Sequence, residues 1–114
     1  MRKERVLLVD DMQKVYDLFR RKYGERVNFD FVTGVGDAIR KLRENRYDLV
    51  LTDYDLGVEG VTGLDVIKEA KERGMPAVMM SRGNHSDEAL RAGADAFIFK
   101  RRLLEGYVTG NGRK

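Results

Sequence analysis

Four short apolar runs, each closed by a polar residue, organise this chain. They are Val6-Leu7-Leu8-Val9 before Asp10, Leu49-Val50-Leu51 before Thr52 and Asp53, Ala77-Val78-Met79-Met80 before Ser81, and Ala96-Phe97-Ile98-Phe99 before Lys100. Continuous runs of this length suit strands covered on both faces, as in a parallel sheet. Residues 27–32 alternate instead, with Val27, Phe29 and Phe31 set against Asn28 and Asp30, and predict a less buried edge strand.

Between the runs the period lengthens. Met12, Val15, Tyr16, Phe19 and Tyr23 follow helical spacing up to Gly24. Val35, Ala38, Ile39 and Leu42 repeat the pattern until Asn45. Leu64, Ile67 and Ala70 form a third stripe, closed by Gly74 with Pro76 beyond. A short fourth helix is predicted from an N-cap at Ser86, with Asp87 and Glu88 at its positive end and Gly93 as its stop. After Lys100 only one or two helical turns are expected before Gly106, Gly110 and Gly112. The alternation predicts an α/β fold, a doubly wound five-stranded parallel sheet with right-handed crossovers, a shortened fourth helix and a weak fifth.

At 114 residues the chain fits one domain. It has no cysteine, which excludes disulfides and thiolate metal sites. No apolar run approaches the roughly 20 residues that span a bilayer. The expectation is a soluble, cytoplasmic protein without membrane contact. The formal charge is +3, but Lys100, Arg101, Arg102, Arg113 and Lys114 against Glu105 place +4 in the last fifteen residues, leaving −1 on the rest. The body is therefore not a basic nucleic-acid-binding surface. Residues 1–105 are read as the folded domain and 106–114 as a flexible basic tail.

In parallel α/β sheets ligands bind at the carboxyl ends of the strands. The residues predicted there are Asp10 and Asp11 after the first strand, Asp53 at the third, Ser81 at the fourth and Lys100 at the fifth. Three converging carboxylates repel unless a cation sits among them. A hard divalent ion such as Mg²⁺ answers that repulsion with oxygen ligands, several waters and a phosphate. Lys100 adds a compact positive charge and Ser81 a hydroxyl donor. A carboxylate nucleophile, a metal, a lysine and a donor hydroxyl together suit phosphoryl transfer.

The segments VLLVDD (6–11), DLVLTDYDL (48–56), GLDVIKEAKERGMPAVMMS (63–81) and AGADAFIFK (92–100) carry these residues. Over nearly its whole length the chain resembles the receiver domains of bacterial and archaeal response regulators. The resemblance implies a flavodoxin-like strand order of 2-1-3-4-5. It implies that Asp53 takes a phosphoryl group from a histidine kinase or phosphotransfer protein. Asp10, Asp11 and Asp53 would hold Mg²⁺, with the backbone carbonyl of Asp55 as a further ligand. Lys100 would pair with the phosphoryl oxygens, Ser81 would hydrogen-bond the group, and Phe97 would be the aromatic switch that turns inward as Ser81 moves. Such a domain catalyses its own phosphorylation and dephosphorylation, turns over no external substrate and signals through a separate effector.

The chain departs from the family pattern at several places. Arg101 follows Lys100 where receivers carry proline, often after a cis bond. A non-proline cis bond costs about 3–4 kcal/mol, so a trans bond is expected. Gly57 replaces a customary proline in a long loop after Asp53, and its three glycines make that loop conformationally free. Arg82 stands beside the phosphoryl entrance where the family favours a small residue. These departures motivate an alternative reading, a receiver-like interaction module that works without phosphorylation.

Weaker signals are set aside on their context. Asp53-Tyr54-Asp55 is similar to the Asp-x-Asp of haloacid-dehalogenase-type phosphatases but lies on the third strand, not the first. Gly34-Val35-Gly36 lacks the third glycine of a dinucleotide fingerprint, Ile39 standing there. His85, the sole histidine, is placed on an exposed loop with no catalytic or metal role.

Overall fold

The computed structural model describes residues 2–105. The apolar runs form β1 (Glu4–Val9), β3 (Leu49–Asp53), β4 (Ala77–Ser81) and β5 (Ala96–Phe99), and the alternating segment forms β2 (Val27–Val32). The helices are α1 (Gln13–Tyr23), α2 (Val35–Glu44), α3 (Leu64–Glu72), α4 (Ser86–Arg91) and α5 (Lys100–Leu103). All strand pairings are parallel, in the order β2-β1-β3-β4-β5, so β2 is the predicted edge. The order reverses at β1, which places the carboxyl ends of β1 and β3 at the switch point.

Alternation along each strand sorts side chains onto two buried faces. In β1, Leu7 and Val9 join Ala38, Leu42, Val66, Ile67 and Ala70 under α2 and α3. Val6 and Leu8 point the other way, to Val15, Phe19 and Leu104 from α1 and the end of α5. These strand residues are at most 4% exposed. Each fully buried aliphatic side chain contributes about 1.5–3 kcal/mol, so register is fixed by which face each residue must reach.

α5 is four residues long, and its covering role is correspondingly small. It is tied down from α1: Tyr23 Oη donates to the Leu103 carbonyl at 2.7 Å, and Lys22 Nζ donates to the Leu103 and Glu105 carbonyls at 3.0 and 3.1 Å. α4 has six residues, and its predicted start shifts by one. His85 is the N-cap, while Ser86 is the first helical residue. Asn84 Oδ1 accepts from both the Ser86 N–H (3.1 Å) and its hydroxyl (2.8 Å). The expected tail, residues 106–114, lies outside the described residues. Among the described residues no helix is long and apolar enough to cross a membrane.

Candidate functional site

β1, β3, β4 and β5 end at one sheet edge, and their terminal polar residues meet there. Asp10, Asp53, Ser81 and Lys100 are all buried, whereas Asp11 is exposed. Lys100 Nζ lies 2.6 Å from Asp10 Oδ2 and 3.0 Å from Asp53 Oδ2. Its bond to Asp53 is well aligned. The Asp10 approach is an ion contact with poor hydrogen-bond alignment, so Asp10 Oδ2 keeps acceptor capacity. Asp10 Oδ1 accepts from the Met12 N–H at 2.9 Å, which turns the chain from β1 into α1.

Burial dominates the electrostatics of Asp53. It pushes the carboxyl up to about 6, and Asp10 and Asp11 add to the rise, while Lys100 opposes it. Burial also pulls on the Lys100 ammonium, but Asp10 and Asp53 outweigh it and hold the lysine above its ordinary value. The centre therefore contains a cation and a buried carboxylate short of compensating charge.

The acid cluster fits a hard cation. Asp10, Asp11 and Asp53 each present one carboxylate oxygen, and these lie within 4.8 Å of one another. One Mg²⁺ with its water shell suits that spread of hard oxygen donors. The Asp55 carboxylate is occupied otherwise, accepting from the Gly57 N–H at 3.0 Å. Only its backbone carbonyl corresponds to the role that the resemblance implies.

The loop after Asp53 is shaped by two glycines. Gly57 has φ +82°, a conformation closed to proline, and a Cβ there would stand 2.6 Å from Asp11 Oδ2. Gly63 has ordinary φ but no space: a Cβ would meet the Asp53 carbonyl oxygen and stand 2.7 Å from Thr52 Oγ1. Gly63 N–H donates to the Tyr54 carbonyl at 2.9 Å, folding the long loop back onto the end of β3.

The remaining predicted residues fall as follows. Ser81 Oγ accepts from the Gly83 N–H at 3.2 Å and keeps its own proton to donate. Phe97 is half-buried against the α2–α3 face and packs edge-to-face with Phe99, centroids 5.4 Å apart. Arg82 is exposed at the cleft rim. There is no cis peptide bond among the described residues, so the Lys100–Arg101 link is trans as expected, and Lys100 itself opens α5.

His85 corrects the sequence reading. It is half-buried and lines the cleft together with Asp11, Asp53, Ser81 and Lys100. That cleft has a volume of about 320 Å³. A larger surface hollow, about 690 Å³, lies at the opposite edge between the ends of α2 and α3, where Arg43 and Arg73 both pair with Glu69, away from the acid cluster. The only sequence signal for His85 was its i,i+3 spacing from Glu88; its approach to Tyr54 across two loops is purely tertiary.

The sequence profile of the response regulator receiver domain matches residues 6–105. The chain belongs to the response regulator receiver domain family. It is 31% identical over 102 residues to the two-component response regulator PhoP of Pseudomonas aeruginosa, an alignment covering 84% of this chain and 44% of PhoP. The chain thus spans less than half the length of that relative. Among solved structures, it is similar to a CheY-like receiver domain protein of Methanospirillum hungatei, at 25% identity and a TM-score of 0.75, covering 91% and 90% of the two chains. It is also similar to the response regulator TrrA of Thermotoga maritima in complex with Mg²⁺ and BeF, at 26% identity and a TM-score of 0.73, covering 84% and 85%. Membership in this receiver family supports a place in phosphorylation-based two-component signalling.

Proposed function

We propose that this receiver domain accepts a phosphoryl group on Asp53 from a histidine kinase or phosphotransfer protein, with Mg²⁺, and passes the change to a downstream effector. The observation that carries the reading is the position of Asp53. Its carboxylate is buried, sits 3.0 Å from Lys100 Nζ and shares a corner with Asp10 and Asp11. The TrrA complex with Mg²⁺ and BeF supports the same chemistry by analogy.

Asp10, Asp11, Asp53 and the Asp55 carbonyl would hold Mg²⁺. The ion supplies charge neutralisation for the incoming phosphoryl oxygens. Lys100, already in place beside Asp53, pairs with one of those oxygens. The Ser81 hydroxyl donates to another, and its loop moves with it. Half-buried Phe97 then turns into the space that Ser81 leaves. A charge of roughly −1.5 to −2 placed at this corner is enough to reorder both loops. The domain acts on itself alone and turns over no external substrate.

Lys100 meets Asp53 without the customary proline, which favours the switch over a phosphorylation-independent module. Titration with Mg²⁺, followed by NMR of the backbone amides near Asp11 and Asp53, separates the two. The switch predicts binding at millimolar metal that deepens with beryllofluoride and is lost in Asp53→Asn; no response at millimolar metal sinks it.

A further inference from the structure

The histidine of the acceptor cleft stands in a rigid frame. Its ring lies face to face with that of Tyr54, centroids 3.6 Å apart and planes 5° from parallel. His85 Nδ1 is 2.9 Å from Glu88 Oε1, and Tyr54 Oη donates to Glu88 Oε2 at 3.4 Å. One carboxylate therefore fixes both rings. A carboxylate only accepts, so it selects the proton on Nδ1 and leaves the lone pair on Nε2. That nitrogen has no hydrogen-bond partner among the described residues. It lies 3.6 Å from where a Cβ on Gly83 would stand, and glycine leaves the space beside it open.

We propose that His85 is a general base for hydrolysis of the aspartyl phosphate, with Glu88 as the residue that orients it. The proposal rests on the reading of Asp53 as the phosphoryl acceptor. The water oxygen bonds to phosphorus as the bond from phosphorus to the Asp53 carboxylate oxygen breaks. The water's proton passes to His85 Nε2, Asp53 departs as a free carboxylate, and inorganic phosphate leaves. The imidazolium then returns its proton to solvent. The cleft, about 320 Å³, holds Asp53 and His85 on one lining and has room for the phosphoryl group and water.

Charged and titratable groups from several elements pack against His85 or line the same cleft. Glu88 comes from α4, Tyr54 from the end of β3, Asp53, Asp55 and Asp11 from the acidic corner, Arg82 from its own loop and Lys100 from α5. The test therefore compares pH profiles between variants rather than reading a single curve.

The full chain is phosphorylated with acetyl phosphate and Mg²⁺, the donor is removed, and loss of the phosphoryl group is followed by intact mass from about pH 5.5 to 8.5. The hydrolysis rate rises with pH in the parent, as a general base requires. His85→Gln and His85→Ala lower the upper plateau by about 10-fold or more and lose the rise. Glu88→Gln gives a smaller loss. Added imidazole restores part of the rate to His85→Ala, which a purely structural role does not allow. Phosphoryl uptake by a folded His85→Gln with the parent's lifetime and pH profile overturns this proposal alone. A parent chain that takes up no phosphoryl group overturns it together with the reading of Asp53.

Discussion

Lys100 Nζ stands 2.6 Å from Asp10 Oδ2, nearer than the 3.0 Å that separates it from Asp53 Oδ2. Asp10 is fully buried and also holds the Met12 N–H, so this contact joins the end of β1 to the start of α5. Lys100 is thus a structural cation of the metal-free protein. Lys100→Met should destabilise the metal-free protein by about 3 kcal/mol, because two buried carboxylates lose their partner. Urea unfolding at pH 7.5 checks this, and Mg²⁺ should recover part of the loss. Parental stability in the variant would contradict the buried contact.

Asp53 predicts an acid-side gain in stability. Its carboxyl is raised to about 6 in the folded protein against 3.8 for the free group. The folded state therefore binds the proton more tightly than the unfolded state, and this group's contribution worsens as pH rises from about 4 to 6. Above that window both states are ionised and the full cost is present. Asp53→Asn should then raise metal-free stability by about 2 kcal/mol at pH 7.5, with little gain near pH 4. Thermal melts at the two pH values decide it; an equal gain at both would remove burial of the charge as the cause.

Arg101 predicts that restoring the residue usual in receivers does harm. Lys100 is already helical and its bond to Arg101 is trans. A proline at position 101 disfavours the helical conformation of the residue before it and would draw Lys100 out of the acidic corner. Arg101→Pro should lower stability by about 1–3 kcal/mol and slow phosphoryl uptake. A neutral or stabilising effect in urea unfolding would show that the strand-to-helix junction tolerates another path.

Gly63 predicts a packing defect felt at the acceptor. The Cβ of an alanine would collide with the Asp53 carbonyl oxygen and crowd Thr52 Oγ1. Gly63→Ala should cost about 2–3 kcal/mol and move the amide resonance of Asp53. Gly60→Ala serves as the comparison, since its Cβ meets nothing within 4 Å and only its φ of +79° is strained.

The residues at the strand ends were legible because each follows a continuous apolar run, and in a parallel sheet all such runs finish at one edge. Asp10, Asp53, Ser81 and Lys100 needed only that rule to be brought together. The start of α4 was misplaced by one residue because Asn84, not Ser86, supplies the side-chain acceptor in the turn. His85 was misjudged for a different reason. Glu88 stands one turn away in the same helix, but Tyr54 comes from the end of β3, and no period along the chain encodes a stack between the β3 and β4 loops. Gly63 likewise reads as one loop glycine of three until the backbone shows what it touches.

Asp53 as the phosphoryl acceptor is decided by intact mass after incubation with acetyl phosphate and Mg²⁺, beside an Asp53→Asn control. The expected result is one added phosphoryl group that requires Mg²⁺ and is absent in the control. An unmodified chain, with both acetyl phosphate and a phosphorylated histidine-kinase donor, would contradict it and leave the phosphorylation-independent module as the better description.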